Sequence, residues 1–283
     1  MALTNSQVTV FARELQSSLK KALVFAGPQA VNRNYEGEIR QTGDSVRIRS
    51  ISRPTIAAYT KNVTEITPET LTDAERTLLI DQANYFAFEI DDVDMAQVQN
   101  GGGLMSEAAL ESAFGLADVA DLYVAGLYTG AAAANQITTT AITTAALAAK
   151  GLINLKVKLD NANVPNQGRY VIVPPWYHGL LLEPGSGFVS VADSGTSEAL
   201  RNGNVGRAFG FDIFVSNNVT VVTGDDYLVS AGYTGAITFA SQINKVESYR
   251  PESAFSDALK GLNLFGAKLV RPSGIATLVA SIT

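Results

Sequence analysis

The 283-residue sequence contains no cysteine, one histidine (His178) and one tryptophan (Trp176). Without cysteine there is no disulfide framework, no thiolate metal site and no cysteine nucleophile. A lone imidazole with no thiol also leaves zinc or iron without its usual ligands, and no cofactor is expected. Charge is scarce too: 17% of residues are charged, below the roughly 25% of ordinary soluble domains, while 46% are hydrophobic. That balance fits a chain that covers part of its surface against partners, because a monomer normally dilutes exposed apolar area with charge. The formal charge of −6 is spread without a basic tract, which excludes the footprint of a sequence-specific nucleic-acid binder.

Membrane-length hydrophobic runs are missing as well. The uncharged stretch from Leu122 to Ala149 holds Asn135, Gln136, Thr138, Thr139, Thr140, Thr143 and Thr144, and so does not read as a transmembrane helix. The opening "MALTNSQVTVFARELQSSLKKALVFAG" has neither the basic start nor the apolar core of a secretion signal, so cytoplasmic synthesis and retention are expected.

What is present reads as α+β, with strands and helices interleaved irregularly. Phe11, Leu15, Leu19 and Leu23 fall four apart and line one face of a helix over residues 4–24, with Arg13, Lys20 and Lys21 elsewhere. Such a one-striped helix must find an apolar surface on its own domain or on a neighbour. In "GDSVRIRSIS" the period changes to two, and a second strand pattern, "TLLIDQANYFAFEI" (77–90), follows a polar stretch from Lys61 to Arg76. Together they predict an extended β-hairpin with a solvated tip. Residues 94–128 predict a long helix with Leu110, Phe114, Ala117, Ala120, Val124 and Leu127 on a stripe, broken at Gly101 to Gly103. A second helix is expected near 144–159, strands at 169–173, 211–215, 235–239 and 262–270, and a short helix from Pro174.

No chemical motif is complete. A Ser-His-Asp triad could use His178 with Ser186 in "EPGSGF", but the G-x-S-x-G elbow is absent. Glu89, Asp91, Asp92 and Asp94 fail as a calcium loop, because Ala96 and Gln97 stand where a ligand and the turning glycine belong; they read instead as acids at a helix N-terminus. "RNGNVGRAFG" (201–210) is glycine-rich without forming a phosphate loop. Trp176 and His178, in "GRYVIVPPWYHGLLL", read as parts of a short helix packed behind a buried strand. No catalytic or metal-binding residue is nominated.

The order of segments resembles the major capsid proteins of tailed bacteriophages, with the HK97-type fold, and in particular the branch of the phage P22 coat protein. The resemblance rests on "VNRNYEGEIRQTGDSVRI" (31–48), "FEIDDVDMAQ" (88–97), "NVPNQGRYVIVPPWYHGLLL" (163–182), "RNGNVGRAFGFDIFVSNNV" (201–219) and "VESYRPESAFSDALKGLNLFGAKLVRP" (246–272). It implies an N-arm at 1–30, an E-loop hairpin with flanking strands at 31–92, the spine helix of a peripheral domain at 93–133, a mostly axial domain at 134–245, and a return to the peripheral domain at 246–283. The implied function is self-assembly as hexamers and pentamers into an icosahedral shell around double-stranded DNA. The virion is the expected location, with assembly in the bacterial cytoplasm.

The resemblance also implies a separate scaffolding protein and a portal as partners, loose contact with packaged DNA, and no membrane. Candidate inter-subunit contacts are Phe11, Leu15, Tyr59, Lys61 and Arg76. Some relatives join subunits covalently through an E-loop lysine; Lys61 lies near the hairpin tip, but a solvated turn explains it equally well, and no bond is expected. The alternatives are an encapsulin-type compartment in the same fold and, from another class, a serine hydrolase.

Overall fold

The structure is a computed structural model that describes residues 24–34, 45–51, 54–61, 65, 68–70, 73–92, 101–183, 206–252 and 254–282. Phe11, Leu15, Ser186 and the start of the predicted long helix at 94–100 lie outside the described residues. The class is α+β, as the sequence predicts.

Three antiparallel strands form the first sheet, in the order β10 (Ile237–Tyr249), β11 (Ser256–Leu269), β3 (Gln82–Asp91). Helix α1 (Gly101–Leu127) packs on its inner face. The contact is made mostly by small residues: Ala109, Ala113 and Ala117, with the larger Leu116, meet Val246 and Leu259, and the stacked rings of Phe86 and Phe88 lie beside them. Of the predicted stripe, Ala117, Ala120 and Val124 are buried, whereas Leu110 and Phe114 face outward at 40% and 58% exposure. Alanines let helix and sheet approach closely, so the small face, rather than the bulkiest one, is turned inward.

The second sheet runs β4 (Gln136–Ala141), β12 (Ile275–Ser281), β9 (Asp226–Tyr233), β5 (Arg169–Val173), β7 (Phe211–Val215), β6 (Arg207–Ala208), with β8 (Val221–Thr223) on β9. Strand β5 is buried at all five positions, between antiparallel β9 and parallel β7. Helices α2 (Ala145–Asn161) and α3 (Pro175–Leu181) bury Leu152, Leu155, Leu159, Tyr177 and Leu181 against this sheet. Helix α2 starts at Thr144, whose hydroxyl accepts from the Leu147 amide, and ends in a left-handed Asn163 (φ 55°). There the Val164 amide donates to the Leu159 carbonyl and the Asn163 amide to that of Asp160, the pattern that closes a helix C-terminus. A third core, with Phe25, Val124, Tyr128, Tyr170, Phe239 and Phe265, joins the two sheets.

Two expectations are corrected. The strand pattern at 77–90 is two strands: β2 (Asp73–Leu79) pairs with β1 (Ser45–Ile51), whereas β3 pairs with β11. The alternation continues through the break. Leu78 and Ile80 cover Ala240 and Leu264 on the outer face of the first sheet, while Phe86 and Phe88 pack on α1 at the inner face. A period of two cannot reveal that the chain has passed from above a sheet into it. The second concerns the C-terminus: β12 does not rejoin the first layer with the rest of 246–283, since it pairs with β9 over seven residues and with β4 in parallel.

The hairpin crosses the first sheet at Gly266. A Cβ there would strike the Leu79 carbonyl oxygen and lie 3.0 Å from the Ile80 Cα, both backbone atoms that cannot rotate aside. Gly266→Ala should therefore cost about 2–3 kcal/mol through overpacking, read by chemical denaturation. Unchanged stability would contradict this crossing.

Candidate assembly surfaces

The β1–β2 hairpin is in register from Ser45 opposite Leu79 to Ile51 opposite Asp73. Seven residues of strand carry its tip about 23 Å from its root. Across the tip the Thr55 amide donates to Glu69 Oε2 at 2.9 Å. Residues 54–61 are exposed throughout, and among them Ile56 is 84% and Tyr59 68% accessible. Lys61 lies in a turn beside them, as the sequence predicts. Arg76 lies midway along β2, opposite Ile48, where its Nη1 donates to the Leu269 carbonyl at 3.1 Å and ties the hairpin to β11. The structure thus brings Tyr59 and Lys61 together and keeps Arg76 apart from them.

The root of the N-terminal segment is held by a residue that the sequence reading missed. Asp121 of α1 is buried, and its Oδ1 accepts from the backbone amides of Val24 (2.9 Å), Phe25 (2.6 Å) and Ala26 (3.1 Å). Asn218 Nδ2 donates to Asp121 Oδ2 at 3.2 Å and to Asp118 Oδ1 at 2.6 Å. Burial raises the Asp121 carboxyl above its ordinary value, and the hydrogen bonds oppose that shift. Its only local signal is an acid on the apolar side of a helix.

Among the described residues, none covers the outer face of the first sheet beyond the hairpin crossing. Tyr85 (79% exposed), Ala87, Lys260, Leu262 and Glu247 line a depression of about 440 Å³. Lys260 Nζ is 3.1 Å from Glu247 Oε2 and lies 5.0 Å from the centre of the Tyr249 ring.

The Trp176–His178 segment packs α3 onto α2 and the second sheet. Tyr177 is buried, and its hydroxyl donates to the Ala148 carbonyl of α2 at 2.6 Å. That approach requires Gly151, where a Cβ would stand 2.5 Å from the Tyr177 oxygen. Trp176 meets Tyr177 and Tyr227 with ring centres 5.6 and 5.8 Å apart. Burial pushes the His178 imidazole below its usual value, and no carboxylate contributes to the shift. Its predicted partner Ser186 lies outside the described residues. Among the described residues no group of three or more His, Cys, Asp or Glu is placed to hold a metal, and no helix is long and apolar enough to cross a membrane.

A two-sheet body with a long exposed arm and apolar side chains at its tip has the layout of a subunit that binds other copies of itself. The family model described as "Phage capsid protein" matches residues 48–278, and the chain belongs to that family. A solved structure from Mycobacterium phage Che8 is 30% identical and superposes with a TM-score of 0.74, over 90% of this chain and 90% of that one. The capsid structure of cyanophage P-SCSP1u is 20% identical, TM-score 0.70, over 93% and 89% of the two chains. The virus-like particle from Pyrococcus furiosus has the same fold at 14% identity, TM-score 0.57, over 98% and 100%. No curated protein sequence matches. The protein is a major capsid protein with the HK97-type fold, a virion component that associates with itself into a shell.

Proposed function

We propose that the chain assembles as hexamers and pentamers into a closed icosahedral shell around a phage's double-stranded DNA. The observation that carries this reading is the hairpin, a structured arm with exposed Ile56 and Tyr59 at its tip. An arm that reaches beyond its own core supplies one half of a repeated heterologous contact, and closed symmetry turns such contacts into a shell. Each contact can be modest, because every subunit already held by its neighbours meets the next one at high effective concentration. Tyr59 and Lys61 are assigned to the contact at the tip, and Arg76 to the attachment of the arm on β11.

In this reading the peripheral unit comprises α1 with β3, β10 and β11. The axial unit is most of 134–245, with β12 added to it. The proposed partners are a separate scaffolding protein, a portal and the packaged DNA. The DNA is contacted without sequence preference, since a chain of net charge −6 offers no basic track. Assembly takes place in the host cytoplasm, and the chain performs no catalysis. The placement beside the phage P22 coat protein is supported by the five ordered sequence segments alone. A cargo compartment in the same fold is the second reading, and the phage family model favours the virion.

The test is negative-stain electron microscopy with sedimentation of the overexpressed chain, alone and with the neighbouring phage genes. Polyhedral shells, tubes or malformed shells are the expected outcome. A 29.9 kDa monomer under both conditions would overturn the reading, and a specific protein cargo in place of DNA would favour the compartment.

A further inference from the structure

The layer built on the second sheet carries charge of opposite sign at two places. Between Asp121 and Asp160 the chain has no acidic residue but has Lys150, Lys156 and Lys158, all on helix α2. Between Arg207 and Lys245 it has no basic residue but has Asp212, Asp225 and Asp226. Each place is also apolar where it meets solvent. On α2, positions 146, 150, 153 and 157 share one face, where Ile153 is 41% and Val157 49% accessible and Lys150 is exposed. On β8, Val221 and Val222 are each 51% accessible, and the exposed Asp225 follows in the turn into β9. We propose that these two surfaces bind each other between copies of the chain: the α2 stripe of one subunit receives the β8–β9 turn of the next.

The fold keeps the two surfaces apart within one copy. Leu152, Leu155 and Leu159 fasten the opposite face of α2 to the sheet, so the stripe points away from it. Helix α2 lies over β12. Strand β8 is beyond β9 from there, because Tyr227 of β9 is paired with Val221 on one side and with Ala280 of β12 on the other. A subunit therefore does not close the contact on itself. Opposite charge selects a second copy as the occupant: a basic, apolar stripe fits an acidic, apolar turn, and this chain has both. Ile153 and Val157 against Val221 and Val222 form an apolar centre, with Lys150 and Asp225 at its rim, as in other protein interfaces. The contact is heterologous, since each copy gives the stripe to one neighbour and the turn to another, and such contacts close into rings. The inference rests on the proposed shell and adds to the arm a contact made by the axial unit.

A chain without cysteine allows a test by disulfide trapping in the full-length protein, under the conditions that give shells. Asn154 flanks the stripe and Thr223 ends β8, and both are exposed. Under mild oxidation, Asn154→Cys chains mixed with Thr223→Cys chains should form a dimer about tenfold faster than either variant alone, because the contact holds the two thiols at high effective concentration. They should equally outpace Asn154→Cys mixed with Ala87→Cys, whose thiol is exposed on the first sheet. A non-reducing gel reads the rates. Both substitutions in one chain should extend the dimer into a ladder. Equal rates, or a bond within one chain, would overturn the contact; dimers from Asn154→Cys alone would show a two-fold contact and overturn it as well. In a second measurement, Lys150→Glu and Asp225→Lys should each raise the concentration for half-assembly about fivefold. Combined in one chain they should restore it to within about twofold of the parent, and losses that multiply instead would overturn the pairing. Normal shells with neither bond nor rescue would overturn this contact alone, whereas a monomer under every condition would overturn the shell and the contact together.

Discussion

Replacing residues 52–72 by a two-residue Asn-Gly turn should yield a folded monomer that forms no shells. The graft keeps the β1–β2 register, because Ile51 and Asp73 are already opposite one another and an Asn-Gly turn suits the twist of paired strands. The removed residues that the structure describes are exposed, so stability should change by no more than about 1 kcal/mol. Assembly loses the burial of Ile56 and Tyr59, about 1.5–3 kcal/mol for each side chain. At 1.4 kcal/mol per factor of ten, even the lower bound for the pair weakens each contact by about a hundredfold. Since every subunit repeats the contact, closed shells should disappear at concentrations where the parent assembles fully. Sedimentation velocity and electron microscopy read the result, and Ile56→Asp with Tyr59→Ser should reproduce it. Normal shells from the graft would remove the arm from the mechanism.

Asp121→Ala should be the most destabilising single substitution at the root of the N-terminal segment. It leaves three amides, those of Val24, Phe25 and Ala26, without their acceptor, two of them buried. Each unsatisfied donor costs about 1–3 kcal/mol where water cannot reach it, and partial rehydration brings the total to about 3–5 kcal/mol. Asp121→Asn keeps an acceptor for those amides and should cost about 1–2 kcal/mol. The pH dependence follows from the raised carboxyl. Because the folded protein holds this proton more tightly than the unfolded chain, ionisation works against folding. The parent's stability relative to Asp121→Asn should therefore be greatest below the ordinary carboxylate value of about 3.9. It should decline as pH rises through the raised folded value and stay flat above it. Urea denaturation of both proteins between acid and neutral pH measures this difference; an opposite slope would show that the hydrogen bonds outweigh burial.

The buried guanidinium of Arg169 illustrates how local and long-range information divide. Its Nη1 donates to Asp160 Oδ1 at 2.6 Å, its Nε to the Pro165 carbonyl at 2.8 Å and its Nη2 to that of Val164 at 2.5 Å. All three partners precede it by four to nine residues, and the turn from α2 into β5 was legible from Asn161, Pro165 and the following apolar run. By contrast, Asp121 and the amides it holds are 95–97 residues apart. No spacing in the chain announces that bond.

By itself the sequence determined the α+β class, the absence of thiol chemistry, the hairpin, the extent of α2, the short helix that carries Trp176 and His178, and the order of segments that leads to the capsid family. These depend on composition and on periodicities within single elements. Only the tertiary structure decided that 77–90 divides between an arm and a sheet, that β4 and β9 lie in the second sheet with β12, and that α1 turns its alanines inward. The physical reason is common to all three. Alternation and helical spacing report which side of an element is apolar, while the partner that covers that side is chosen by packing and hydrogen bonds between residues far apart in the chain.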